Sequence, residues 1–143
     1  MGVTNFDDYK DVFVVADTID DVVHPVTYEL IGQARRIAKE LGQLVQVMLL
    51  GENVQSEAEE LVAHGADIVH VFERPLLKYY TTDGYTKVLT DFFEDHKPNI
   101  LLIGATNNGR DLAPRMSGRM KNGVVADCTI LTVDTEEGLV EWT

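Results

Sequence analysis

Five short, nearly unbroken apolar runs, each separated from the next by a helix-length stretch, constrain this chain more than any other feature. They lie at 12–16 (VFVVA), 44–50 (LVQVMLL), 68–72 (IVHVF), 100–104 (ILLIG) and 124–131 (VVADCTIL). Continuous rather than alternating hydrophobicity marks strands covered on both faces, and such strands are parallel. Parallel neighbours need crossovers, so the segments between the runs should be helices on either side of one sheet.

Those segments have helical periodicity. Val26, Leu30, Ala34, Ile37, Ala38 and Leu41 recur on one face, with Arg35, Arg36, Lys39 and Glu40 on the wet side. Pro25 suits a first helical turn, and Gly42 a left-handed stop. Ser56-Glu57-Ala58-Glu59 reads as a capping box, with Gly65 closing that helix. A third stripe joins Tyr85, Val88, Leu89, Phe92, Phe93 and His96 before Pro98, after a turn expected at 81–84. The expected architecture is one doubly wound, mostly parallel α/β domain over residues 1–143. Extended segments at 124–133 and 139–143, joined by a turn at 134–138, add a C-terminal β-hairpin. The chain stops in an extended segment beside Trp142, so a longer parent polypeptide is expected.

Charge and composition exclude several function classes. A formal net charge of −12 disfavours nucleic acid and anionic membranes, both of which require clustered cations. No apolar run approaches the ~20 residues of a membrane span, and the first ten residues lack the apolar centre of a signal peptide. An intracellular location is expected, cytoplasmic in a prokaryote or the mitochondrial matrix in a eukaryote. Cys128 is the sole cysteine and reads as a small buried hydrophobe. His24, His64, His70 and His96 share no metal-binding spacing, so no metal is expected, and no nucleophile stands beside a base.

Two strand-to-helix loops differ in chemistry. The loop at 17–24 (DTIDDVVH) has three aspartates and no glycine, which rules out the phosphate-cradling G-x-G-x-x-G pattern there. The segment after the fourth strand is basic: Lys97, Arg110, Arg115, Arg119 and Lys121 face Asp111 alone between residues 97 and 126. Pro114 is harmless only in a first helical turn, which makes Asp111 the expected N-cap. Thr106, Asn107, Asn108, Gly109 and Arg110 would then lie outside the helix, at its positive end. Such a loop can receive a polar or anionic cofactor edge, or serve as a rigid turn with Arg110 paired to an aspartate.

Gly104-Ala-Thr-x-x-Gly-Arg-Asp-Leu-Ala-Pro-Arg115, followed by Val125-Ala-Asp-Cys-Thr129, resembles the N-terminal domain of the electron transfer flavoprotein alpha subunit. The pattern Pro-x-x-x-Glu-Leu-x-x-x-Ala-Arg-x-x-Ala from Pro25 to Ala38, and Lys97-Pro98, extend the resemblance over almost the whole chain. It implies a Rossmann-like, adenine nucleotide alpha hydrolase-like fold. It also implies an alpha–beta heterodimer passing electrons from dehydrogenases to an acceptor oxidoreductase, some members bifurcating electrons from NADH. FAD would be held mainly by a C-terminal flavin-binding domain that is absent here, and AMP or a second FAD by the beta subunit. Thr106 to Gly109 would lie nearest the partner's nucleotide, while Arg110, Asp111, Arg115 and Asp127 would serve the loop and the inter-subunit surface. No catalytic residue is implied.

The leading expectation is a scaffold and docking domain without an active site of its own. The competing one is a free-standing adenine-nucleotide-binding domain of the universal-stress type.

Overall fold

A computed structural model describes residues 11–95, 98, 100–104, 106–120, 129–134 and 139–142. In chain order they form β1 (Val12–Val15), β2 (Thr18–Ile19), β3 (Val22–Val23), α1 (Pro25–Leu41), β4 (Val45–Gly51) and α2 (Gln55–Ala63). There follow β5 (Ile68–Glu73), α3 (Thr82–Asp95), β6 (Ile100–Gly104), α4 (Asn107–Met120), β7 (Thr129–Asp134) and β8 (Leu139–Trp142). The main sheet runs β5-β4-β1-β6-β7-β8. β1 is central, pairing in parallel with β4 through Val12↔Val45 and with β6 through Val12↔Ile100. Among the described strands of this sheet only β8 is antiparallel, through pairs such as Leu131↔Trp142.

The unbroken apolar runs are explained by two cores, one on each side of the sheet. Val12 and Val14 of β1 pack with Leu30, Ile31 and Leu61 beneath α1 and α2. Phe13 and Val15 point the other way, among Leu89, Phe93 and Met116 of α3 and α4. Burying each such side chain is worth roughly 1.5–3 kcal/mol, so a polar residue on either face of β1 would be costly. α1 matches the expected boundaries. The His24 ring nitrogen Nδ1 accepts from Val26 N–H at 3.0 Å, and Gly42 closes the helix at φ 67°.

Four local expectations are corrected. Asp111 is not a cap: α4 begins at Asn107, the Arg110 N–H donates to the Thr106 carbonyl at 2.8 Å, and Pro114 lies within the helix. The capping box does not form either. Val54, fully buried, takes the cap position of α2, and the Glu73 carboxylate accepts from the Val54 and Gln55 amides at 3.0 and 3.2 Å. A buried anchor and a carboxylate from the next strand outweigh the local serine. The turn expected at 81–84 is instead mostly helical, because α3 starts at Thr82.

The acidic loop after β1 is, finally, a structured hairpin. β2 and β3 pair antiparallel, with Asp20 and Asp21 at φ 50° and 65° in the turn, where short polar side chains tolerate the left-handed region. The Asp21 carboxylate accepts from the Glu52 and Asn53 amides at 2.9 and 3.2 Å. Gly51 permits that approach, since a Cβ there would lie 2.7 Å from Asp21 Oδ1 and 2.4 Å from Val54 Cγ1. The strand of the fifth apolar run is described at Thr129–Asp134. Residues 121–128, with Asp127 and Cys128, and the hairpin turn at 135–138 lie outside the described residues, as do His96 and Lys97.

Candidate switch-point site

The chain leaves β1 toward β4 on one side of the sheet and later returns to β6 on the other. The carboxyl ends of β1 and β6 therefore frame the topological switch point, where open α/β sheets receive ligands. A crevice lies there, walled by Ala16 and Asp17 beyond β1, Gly104 at the end of β6, and Asn108 and Leu112 of α4. Tyr80 and the buried Tyr85 also line it, packed edge to face with ring centroids 5.0 Å apart. The room left for the centre of a water molecule is about 20 Å³. That admits little more than a single water.

Both tyrosines are fixed by hydrogen bonds. The buried Tyr85 hydroxyl lies 3.2 Å from Thr18 Oγ1 and 3.4 Å from the carbonyls of Leu50 and Leu77. Burial pushes its pKa upward, helped by the nearby charges of Asp17 and Asp21. The Tyr80 hydroxyl donates to Asp111 Oδ2 at 2.8 Å, and Thr82 donates to the same oxygen. Burial, with the Asp111 carboxylate beside it, lifts the Tyr80 pKa to about 12. The bonds from Thr82 and then Tyr80 hold Asp111 below the usual carboxylate range.

Among the sequence-predicted residues, Asn108 lines the crevice, and the others described lie before or along the first turns of α4. Thr106 donates to the Asp17 carboxylate, joining the ends of β1 and β6. Asp111 ties α4 to the start of α3, and Arg115 adds a 3.3 Å ion pair to Asp83. Asn107 and Gly109 form the first turn of α4, and Asn108 lines the crevice. Arg110 is exposed and has no ion pair among the described residues. Sequence reasoning missed Thr18 as a partner of Tyr85; the polar threonine between the apolar runs and the Asp20-Asp21 pair was the available signal.

The residues present do not fit a bound adenine nucleotide. The crevice, lined in part by Tyr80 and Tyr85, has too little room for a base, Asp17 borders it, and the Val54 and Gln55 amides at the start of α2 are already held by Glu73. A wider groove of about 320 Å³ lies at the opposite, amino end of the strands, lined by Arg35, Arg36 and Lys39. Those cations sit toward the carboxyl end of α1, where the helix dipole favours them. Among the described residues, no group of three His, Cys, Asp or Glu side chains could hold a metal ion. No helix of the described residues is long and apolar enough to cross a membrane.

The electron transfer flavoprotein domain family matches residues 12–143. The electron transfer flavoprotein subunit alpha of Megasphaera elsdenii is 45% identical over 136 residues, covering 95% of this chain and 40% of that protein. The lactate dehydrogenase (NAD(+),ferredoxin) subunit LctC of Acetobacterium woodii is 44% identical over 133 residues, 93% of this chain and 32% of that protein. A universal stress protein solved in complex with cAMP superposes with a TM-score of 0.50 at 16% identity, covering 89% of this chain and 98% of that one. This last likeness is one of fold alone. The chain thus spans less than half the length of the curated relatives it matches.

Proposed function

The chain belongs to the electron transfer flavoprotein domain family, and on that premise we propose that it is the N-terminal domain of an alpha subunit, a scaffold that docks a partner. The remainder of the parent polypeptide would hold FAD, which carries the electrons. A beta subunit, holding AMP or a second FAD, would pack against this domain. Dehydrogenases would deliver electrons to the assembled protein, and an acceptor oxidoreductase would take them.

One observation carries the docking reading. The switch-point crevice, the usual ligand site of such a fold, is walled in part by the chain's own Tyr80 and Tyr85 and has room for little more than one water, while Arg110 on the adjoining first turn of α4 is exposed. In this reading Asp111 and Arg115 brace α4 against α3, so that the first turn of α4 keeps one orientation. Thr106, Asn107, Asn108 and Gly109, before and within that turn, would lie nearest the nucleotide of the beta subunit. Asp127 would serve the same surface.

The test is co-expression of the chain with an electron transfer flavoprotein beta subunit. The expected outcome is a stable complex, and a colourless chain when it is purified alone. A chain that fails to associate, or that holds flavin by itself, would contradict the proposal.

A further inference from the structure

The geometry points to an apolar docking patch beside the crevice: Ile19 and Val22 of the β2–β3 hairpin, with Leu76 and Tyr79 beyond β5, receive an apolar surface rimmed by lysine or arginine on a different polypeptide. The inference rests on the docking reading above and names the face that reading leaves open.

The four side chains are 57%, 61%, 87% and 64% exposed, whereas their immediate neighbours Thr18, Val23 and Leu77 are buried. Ile19 and Val22 face each other across the hairpin, so their exposure is a property of a paired structure and not of a loose loop. Both loops are pinned to one atom. The Tyr85 hydroxyl reaches Thr18, next to Ile19, and the carbonyl of Leu77, next to Leu76. Asp21 fastens the hairpin tip to the loop after β4. Ordered apolar side chains held exposed on a pinned hairpin and loop are the kind of surface that a partner covers.

Charge selects the occupant. Asp20 and Glu52 are exposed at the edge of this patch and form no ion pair among the described residues. Arg74 and Lys78 stand nearby, but Asp20, Asp21, Glu52 and Glu73 outnumber them. A second copy would oppose one chain of −12 with another of −12 and set acidic rim against acidic rim. A partner with an apolar centre and cationic rim satisfies both requirements, and the partner subunit of the docking reading is the polypeptide to test.

The experiment measures, by calorimetry, the affinity of the full-length alpha subunit for the beta subunit at low and high salt. The double variant Ile19→Ser/Leu76→Ser should bind about tenfold or more weakly, with an unchanged thermal midpoint. Val62→Ser, an equally exposed apolar position on α2, should bind as the parent does. Asp20→Lys/Glu52→Lys should weaken binding most at low salt and so flatten its salt dependence. If the parent binds and both double variants bind equally well, the patch is overturned and the docking reading stands. If the parent shows no affinity for the beta subunit, the docking reading itself fails. Self-association of the parent that Ile19→Ser/Leu76→Ser abolishes would make a second copy the occupant and overturn the inference.

Discussion

α2 and α4 both begin at the carboxyl edge of the sheet, but the two helix starts are finished in opposite ways. At α2 the Val54 and Gln55 amides are taken by Glu73 from β5, and Asp21 from the hairpin holds the Glu52 and Asn53 amides just before them, so the positive end of the helix meets an internal carboxylate. At α4 no acidic residue occupies the first turn; Arg110 stands there exposed, Asp17 takes the hydroxyl of Thr106 just before the helix, and Asp111 faces sideways to Tyr80 and Thr82. The first arrangement serves the fold internally. The second leaves an exposed cation on the first turn of α4, beside a crevice with little room, which suits an encounter with another molecule's surface. An α/β domain can thus keep the geometry of a nucleotide site while its polar groups become braces between its own elements.

The comparison breaks most directly at Tyr85. Tyr85→Ala removes a buried ring and the hydroxyl that joins three segments, and should cost about 3–5 kcal/mol in the urea denaturation midpoint. A loss below about 1 kcal/mol would mean that the crevice closes without it. A smaller effect should follow at the hairpin. Asp21→Ala leaves two amides uncapped and should cost about 1–2 kcal/mol, with faster hydrogen exchange at Glu52 and Asn53. If exchange there is unaltered, α2 does not depend on the hairpin.

The tyrosines also give a pH signature. Tyr80 rises from 10.0 to about 12 on folding, and Tyr85 is raised as well, so the neutral forms are favoured in the native state. The stability they contribute is complete below pH 10.0 and is lost as pH climbs through about 12. Chemical denaturation across that window should show a falling alkaline limb that Tyr80→Phe makes shallower. An identical limb in the variant would remove Tyr80 as its source. The smallest effect belongs to Arg110. Arg110→Glu should leave the thermal midpoint unchanged and weaken beta-subunit binding several-fold at low salt, less at high salt. Salt-independent weakening would count against an electrostatic role.

The sheet was legible in the sequence because a strand buried on both faces must be apolar at every position, as VFVVA and ILLIG are. The start and end of α1 were legible for an equally local reason, Pro25 and Gly42. What escaped was long-range. Asp111 looked like a cap because Pro114 is compatible with a first turn, whereas Tyr80 and Thr82, some thirty positions earlier, hold it instead. Ser56 and Glu59 formed a plausible box, but Glu73 reached the same helix from another strand. The hairpin was hidden because two-residue strands carry almost no periodicity, and its turn uses aspartates where glycine or asparagine is usual. The segment after β6 does stand at the switch point, but Tyr80 and Tyr85, which line the crevice beside it, come from another crossover.

The most direct measurement is a titration of the chain with AMP, followed through the ring signals of Tyr80 and Tyr85 by nuclear magnetic resonance. With a crevice that has room for little more than one water, the expected result is no saturable shift up to millimolar nucleotide. A saturable shift of both rings, abolished by Arg110→Ala, would show that the crevice opens to nucleotide and would contradict a domain built to dock rather than to bind.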